Sequence, residues 1–311
     1  MTIQEFKAFA VKNLTNSQSP KLDAEVFLEF YLKLTKTQQL LHNNYEIDSQ
    51  KLEELKIAVE KRAKGLPVAY ITGHKEFYGY DFFVTPDVLI PKPDTEILVE
   101  RAIDVILEKI QSRHGALLTV CDMCTGSGCI ALSVIKTLIE DERVPAEELP
   151  KFTLADISEP ALEIARKNAN ALLGNLGELV LSRVSFVRTN LFENIAHRFD
   201  IILTNPPYIP HTLVDELLKD GRSEPRLALD GDITISGERA FSLEGAAKND
   251  GLEIIRNLLS QSREHLSPLG TILMETGEYN AKKAAALGER CGYKSLIHKD
   301  LEGQLRVVEL N

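Results

Sequence analysis

The sequence predicts an α/β protein: a doubly wound, Rossmann-like sheet with an antiparallel last strand, preceded by a small helical domain and a β-hairpin. Three observations carry this. From Leu117 to Leu310, short β-branched and apolar runs alternate with stretches of helical period. Residues 1–70 show helical spacing only. Between the two, Ile71 to Val84 sets Gly73 and Gly79 among Phe77, Tyr78, Tyr80, Phe82 and Phe83, the composition of a hairpin. The expected division is 1–70 for the helical domain, 71–88 for the hairpin linker and 89–311 for the sheet domain.

In the helical domain Ile3, Phe6, Phe9 and Ala10 share a face, followed by Leu22, Val26, Phe27, Phe30 and Tyr31, then by Leu52, Leu55 and Val59. Pro20 and Asn43-Asn44 mark the breaks. A compact module without a catalytic pattern is either a docking domain or a structural cap. Beyond the hairpin comes Leu89-Ile90-Pro91-Lys92-Pro93-Asp94-Thr95-Glu96. Its prolines stiffen an extended approach, and Asp94 or Thr95 is placed to cap a helix running to about Ile110. The lysine and two acids suit a ligand contact and a surface cap equally. Strands are then expected at 117–122, 152–156, 184–188, 200–204, 270–275, 293–298 and 306–310, with helices at 129–139, 160–173, 252–265 and 281–291. The short polar loop joining the last two strands makes them an antiparallel pair at the sheet edge.

Composition narrows the function. The 311 residues, 44% of them hydrophobic, suffice for two cores. A net charge of −10 disfavours unassisted binding to a nucleic-acid backbone. Met1-Thr2-Ile3-Gln4-Glu5-Phe6 lacks the basic and apolar regions of a signal peptide, and no apolar run approaches a membrane span. Of four cysteines, Cys121, Cys124 and Cys129 lie close together and form no disulfide framework, so a cytoplasmic location is expected. Cys121-x-x-Cys124 lacks the second pair that a zinc site needs, and the seven histidines show no ligand spacing, so no metal is assigned.

Two stretches carry chemistry. In the first, Phe199-Asp200-Ile201-Ile202-Leu203-Thr204 reads as a buried strand that Asn205-Pro206-Pro207-Tyr208 stops dead. That makes a stiff corner at the carboxyl end of a strand, where open parallel sheets bind ligands. An Asn side chain, a carbonyl with no neighbouring N–H and an aromatic plate can together hold a planar amide or amino group by its N–H donors. A rigid structural turn is the plain alternative. The second stretch is Asp122-Met123-Cys124-Thr125-Gly126-Ser127-Gly128, whose glycines let a ligand approach a helix N-terminus. Asp156, ending the next strand, suits ribose hydroxyls, and this much fits NAD and S-adenosyl-L-methionine alike. Asp122 before the glycines answers a cationic amino-acid group, directly or through water, and would repel a pyrophosphate. With Asn190 and Leu191 placed to meet adenine, the set describes an S-adenosyl-L-methionine-dependent methyltransferase.

Gly79-Tyr80-Asp81-Phe82, the Pro-Lys-Pro-Asp-Thr-Glu loop, Thr-Gly-Ser-Gly, Asn-Pro-Pro-Tyr-Ile and Glu224-Pro225-Arg226-Leu227-Ala228-Leu229 follow one another in a fixed order. This order resembles the HemK/PrmC family, over nearly the whole chain. The resemblance implies methyl transfer to the side-chain amide of the glutamine in the Gly-Gly-Gln loop of class I peptide chain release factors. It also implies a helical domain that helps dock the factor, cofactor contacts from Thr125, Gly126, Ser127, Gly128, Asp156, Asn190 and Leu191, and glutamine binding by Asn205, Pro206, Pro207 and Tyr208. A monomer without direct nucleic-acid contact is expected. Three features depart from the family: Cys124 at a usual glycine, Lys92 for a commoner arginine, and an apparent insertion between Gly231 and Asp250. Asn-Pro-Pro-Tyr alone is shared with adenine-amino DNA and RNA methyltransferases, which the acidic balance and the lack of a long basic region oppose. A non-catalytic adenosyl-binding or factor-binding module is opposed by the intact corner.

Overall fold

The structure, a computed structural model, describes residues 1–112, 117–219, 223–233 and 249–311. The chain forms two compact units: Met1–His74 with Leu217–Ser223, and Lys75–Glu216 with Glu224–Asn311.

The first unit is helical, with α1 (Ile3–Asn13), α2 (Pro20–Leu32), α3 (Lys36–Leu41), α4 (Ser49–Ala63) and α5 (Val68–Thr72). Its helix starts are sequence-encoded. Thr2 and Glu5 form a capping box, Thr35 and Gln38 another, Asp48 caps α4, and Pro20 occupies the first turn of α2. Ile3, Phe6, Ala24, Phe27, Leu28 and Leu55 fill the core. Helix α2 is turned relative to the expected face: Leu22 is exposed and Asp23 is buried. The cause is long-range, since Asp23 takes Arg62 Nε at 2.7 Å and the Ser17 hydroxyl at 2.7 Å.

The hairpin strands β1 (His74–Phe77) and β2 (Tyr80–Phe83), in the second unit but for His74, turn at Tyr78-Gly79, both with positive φ. Ile71 and Thr72 end α5 and do not begin the hairpin. Phe77 and Phe82 are buried in the sheet domain's core. Asn168 fastens the hairpin further, accepting the Phe83 N–H at 2.7 Å and donating to the Phe83 and Ser127 carbonyls.

A seven-stranded sheet follows, in the order β5-β4-β3-β6-β7-β9-β8. Its strands are β3 (Thr119–Met123), β4 (Lys151–Asp156), β5 (Val184–Arg188), β6 (Phe199–Thr204), β7 (Leu266–Glu275), β8 (Ser295–Lys299) and β9 (Leu305–Leu310). β3 to β7 pair in parallel, and β9 runs antiparallel to both β7 and β8. The last strand therefore slots inside the edge strand β8. α6 (Glu96–Ser112), α7 (Cys129–Glu140) and α8 (Glu159–Leu173) contribute to one core, while α11 (Glu253–His265) and α12 (Glu278–Arg290) contribute to the other. Two short helices, α9 (Glu178–Leu181) and α10 (His211–Lys219), complete the described helices. Strand order reverses between β3 and β6, and a doubly wound sheet opens its ligand crevice at such a switch point.

Candidate active site

β6 is buried at every position, so its end is held rigidly where Asn205 begins. Pro206 is buried, and its carbonyl precedes Pro207, which has no N–H. Asn205 Nδ2 donates to Thr95 Oγ1 at 3.4 Å, which leaves Oδ1 an acceptor without a partner among the described residues. The backbone beyond is clamped: the Ile209 N–H donates to the Leu229 carbonyl, the Gly231 N–H to the Ile209 carbonyl, and Asn280 Nδ2 to the Tyr208 carbonyl at 3.0 Å. Gly251 has φ +71, and a Cβ there would stand 2.1 Å from the Tyr208 oxygen; one on Gly231 would stand 2.2 Å from the Gly251 oxygen. Only glycine permits this approach of three backbones. Buried Asp232 accepts the N–H groups of Gly251 and His211, and buried Asp230 meets His211 Nδ1 at 2.7 Å and Arg226 Nη1 at 3.1 Å. Thus the Glu224–Leu229 motif and Asp250-Gly251 buttress the corner. Residues 234–248 of the apparent insertion lie outside the described residues, but its two ends meet at Asp232 and Gly251.

A cavity of about 430 Å³ opens beside Asn205 and Pro207. Thr125, Gly126, Ser127, Asp156, Asn190 and Leu191 all line it. Asp156 Oδ2 accepts the Gly126 N–H and Oδ1 the Ser158 N–H, both at 2.9 Å, so the carboxyl is locked and keeps lone pairs for hydroxyl donors. Burial raises its pKa. Cys124 has φ +61, so this position does demand the left-handed backbone natural to glycine. Leu191 has φ +47, and both residues line the cavity. Such strain persists where surrounding structure over-determines it, and it clusters at ligand sites.

Four predicted residues do not line the cavity: Asp122, Gly128, Pro206 and Tyr208. Gly128 is a packing glycine at φ +80, where a Cβ would come within 2.9 Å of Leu132 Cδ1 and 3.3 Å of Leu154 Cδ2. Asp122 is wholly buried beneath the loop; its Oδ2 accepts the Thr125 hydroxyl at 2.7 Å and the Ala131 N–H at 3.3 Å. Oδ1 has no partner among the described residues. Asp122 thus holds the loop, and of the two contacts expected of it, direct or through water, its burial away from the cavity leaves the water-bridged one.

Burial pushes the Asp122 carboxyl up to about 7. A carboxyl whose folded pKa lies above its unfolded one favours the fold fully below the unfolded value and loses that contribution as pH rises through the folded value. Asp122→Asn, which carries no charge, should therefore gain melting temperature relative to wild type between about pH 4 and about 8, by a few degrees at the upper end. A pH series of melting curves on the two proteins checks this.

Neither Asp94 nor Thr95 caps α6, contrary to expectation. Asp94 pairs with Arg306 Nη2 at 3.0 Å, and Thr95 turns inward, buried, to meet Asn205. Lys92 Nζ meets buried Glu224 Oε1 at 2.7 Å and joins two of the sequence motifs. Sequence reasoning missed Glu275, which ends β7. Its carboxyl is 2% exposed, receives the Tyr208 hydroxyl at 3.5 Å, and is pushed by burial up to about 7. An acid closing the apolar run Thr271-Ile272-Leu273-Met274 was the available signal. Among the described residues no cluster of acidic, histidine and cysteine side chains suits a metal ion.

Residues 7–73 match the PrmC N-terminal domain family, and residues 98–246 match the family described as methyltransferase small domain. A release factor glutamine methyltransferase of Clostridium acetobutylicum is 34% identical over 97% of this chain and 95% of that protein. One of Coxiella burnetii is 32% identical over 96% of each. A solved T. thermophilus 16S rRNA N2 G1207 methyltransferase, in complex with AdoMet and guanosine, is similar at 16% identity. That likeness covers 76% of this chain and 49% of the other, with a TM-score of 0.47.

Proposed function

The chain belongs to the release factor glutamine methyltransferase family, and from that premise we propose how its own residues perform the reaction. It transfers a methyl group from S-adenosyl-L-methionine to the side-chain amide nitrogen of a release-factor glutamine. Class I factors, with the glutamine in a Gly-Gly-Gln motif, are the substrates this reading assigns, and the helical unit is assigned to docking them.

The cavity fits the cofactor. Asp156 suits ribose hydroxyls, and Leu191 and Ile157 offer apolar walls to adenine. Buried Ser127 Oγ, unpartnered among the described residues, suits the polar amino-acid end, and Asp122 Oδ1, likewise unpartnered, suits it through a bridging water. When bound there, the cofactor supplies an electrophilic methyl on a sulfonium, so no strong base is required. Asp156→Ala should weaken binding of S-adenosyl-L-homocysteine by about tenfold or more, because a charge-assisted acceptor is lost and the Gly126 N–H is released. Titration calorimetry reads this directly.

The amide nitrogen is a poor nucleophile because its lone pair is delocalised, so alignment carries the reaction; good alignment contributes up to about 7–11 kcal/mol. Asn205 Oδ1 and the Pro206 carbonyl accept the two amide N–H bonds, aim the lone pair towards the methyl and stabilise positive charge developing on nitrogen. The methylated nitrogen then gives up one of its two protons to solvent, with S-adenosyl-L-homocysteine as the other product. Tyr208 closes the corner against water. The single observation behind this reading is the Asn205 amide, oriented by Thr95 at the cavity wall.

The test is transfer of labelled methyl to a purified class I release factor and to its Gly-Gly-Gln Gln→Ala variant. Label on the first and none on the second is expected. Equal labelling of both, or of neither, refutes the assignment.

A further inference from the structure

Two side chains of the corner, Asn205 and Tyr208, lead back to one buried group outside the motif. The Tyr208 hydroxyl donates to Glu275 Oε1 at 3.5 Å. The Thr95 hydroxyl is the other hydrogen-bonding neighbour of that carboxyl, in a looser contact, and Thr95 Oγ1 itself takes the Asn205 Nδ2–H at 3.4 Å. Glu275 Oε2 has no partner among the described residues.

We infer that Glu275 is the positioning residue of the amide-binding corner: through Thr95 it decides which way round the Asn205 amide faces, and directly it holds the Tyr208 ring. This rests on the reading of the corner given above. An asparagine amide is almost symmetric in shape, but turning it over replaces the acceptor Oδ1 with an N–H₂ that repels the substrate's own N–H. Thr95 has one hydroxyl hydrogen. Donated to a carboxylate, which accepts only, it leaves Oγ1 as an acceptor towards Asn205, so Nδ2 faces Thr95 and Oδ1 stays free. The chain has a direction, Asn205 to Thr95 to Glu275, and the charge at its end sets that direction. A glutamine in place of Glu275 can donate to Thr95 instead, which frees the hydroxyl to point at Asn205 and favours the inverted amide.

The groups acting on Glu275 are Arg306, Asp94, Thr95 and Tyr208, with Cys129 within electrostatic reach. Burial raises the carboxyl to about 7 against the pull of Arg306 and the two hydroxyls. Because the directed chain needs the carboxylate, turnover should rise with pH through about 7.

The experiment compares wild type, Glu275→Gln, Thr95→Val, Thr95→Ser and the Glu275→Gln/Thr95→Val pair in methyl transfer to the release factor. Affinity for S-adenosyl-L-homocysteine and melting temperature report the fold. Glu275→Gln and Thr95→Val should each lower kcat by about tenfold with KM within about twofold, and the double variant should be no worse than either. Thr95→Ser, which keeps the hydroxyl, should restore kcat, and the rise through about pH 7 should vanish in Glu275→Gln. Losses that multiply in the double variant, a rise that survives in Glu275→Gln, or single variants within twofold of wild type overturn the inference. Transfer absent from wild type itself overturns the functional reading and this inference with it, and that outcome is visible before any variant is made.

Discussion

Asn205→Ala should lower turnover by about two orders of magnitude or more while affinity for S-adenosyl-L-homocysteine stays within about twofold. The truncation removes one of two acceptors for the substrate amide, and removing one preorganised group of this kind commonly costs that much. It leaves the cofactor half standing. The β3 loop is held by Asp122 and Asp156, and the β6 end by burial of the whole strand. Steady-state transfer to the release factor, with calorimetry for the cofactor, separates the two effects. Near-wild-type turnover in Asn205→Ala would remove Asn205 from the chemistry.

Gly251→Ala should reduce turnover by a similar factor without touching any ligand. The added methyl group would start 2.1 Å from the Tyr208 oxygen and 3.0 Å from the Ile209 carbonyl carbon, on a backbone at φ +71. The corner must then retreat by about an ångström, and a misplacement of that size can cost about a hundredfold in rate. Gly303→Ala is the control. It has φ +84 but nothing within 4 Å of the added carbon, so it should cost about 1–2 kcal/mol of stability and leave turnover unchanged. Kinetics of the two variants beside their melting temperatures distinguish a displaced corner from a weakened fold.

Local signals in the sequence carried far. The β6 run and its double proline announce a buried strand and a stiff corner, because apolar content and missing N–H groups act where they stand. The glycines after β3 and the acid ending β4 likewise announce a cavity wall. What escaped depends on partners far along the chain. Leu22 looked like a core residue, but the Asp23–Arg62 pair turns α2 the other way. Pro93-Asp94-Thr95 looked like a helix cap, yet Arg306 and Asn205, more than a hundred residues on, claim Asp94 and Thr95. The start of β7 was hidden by Pro268 and Gly270, where the strand shifts register against β6. Glu275 was overlooked because nothing adjacent to it in sequence tells that a tyrosine and a threonine converge on it. Cys124 shows the converse: its positive φ confirms a glycine-like demand at a position where the residue itself gives no sign of one.

The most direct measurement is tandem mass spectrometry of a class I release factor after incubation with this protein and S-adenosyl-L-methionine, locating the added methyl group. One methyl is expected on the side-chain amide nitrogen of the Gly-Gly-Gln glutamine, formed by wild type and nearly absent with Asn205→Ala. A methyl on any other residue, or a factor left unmodified by a protein that binds the cofactor, would contradict it.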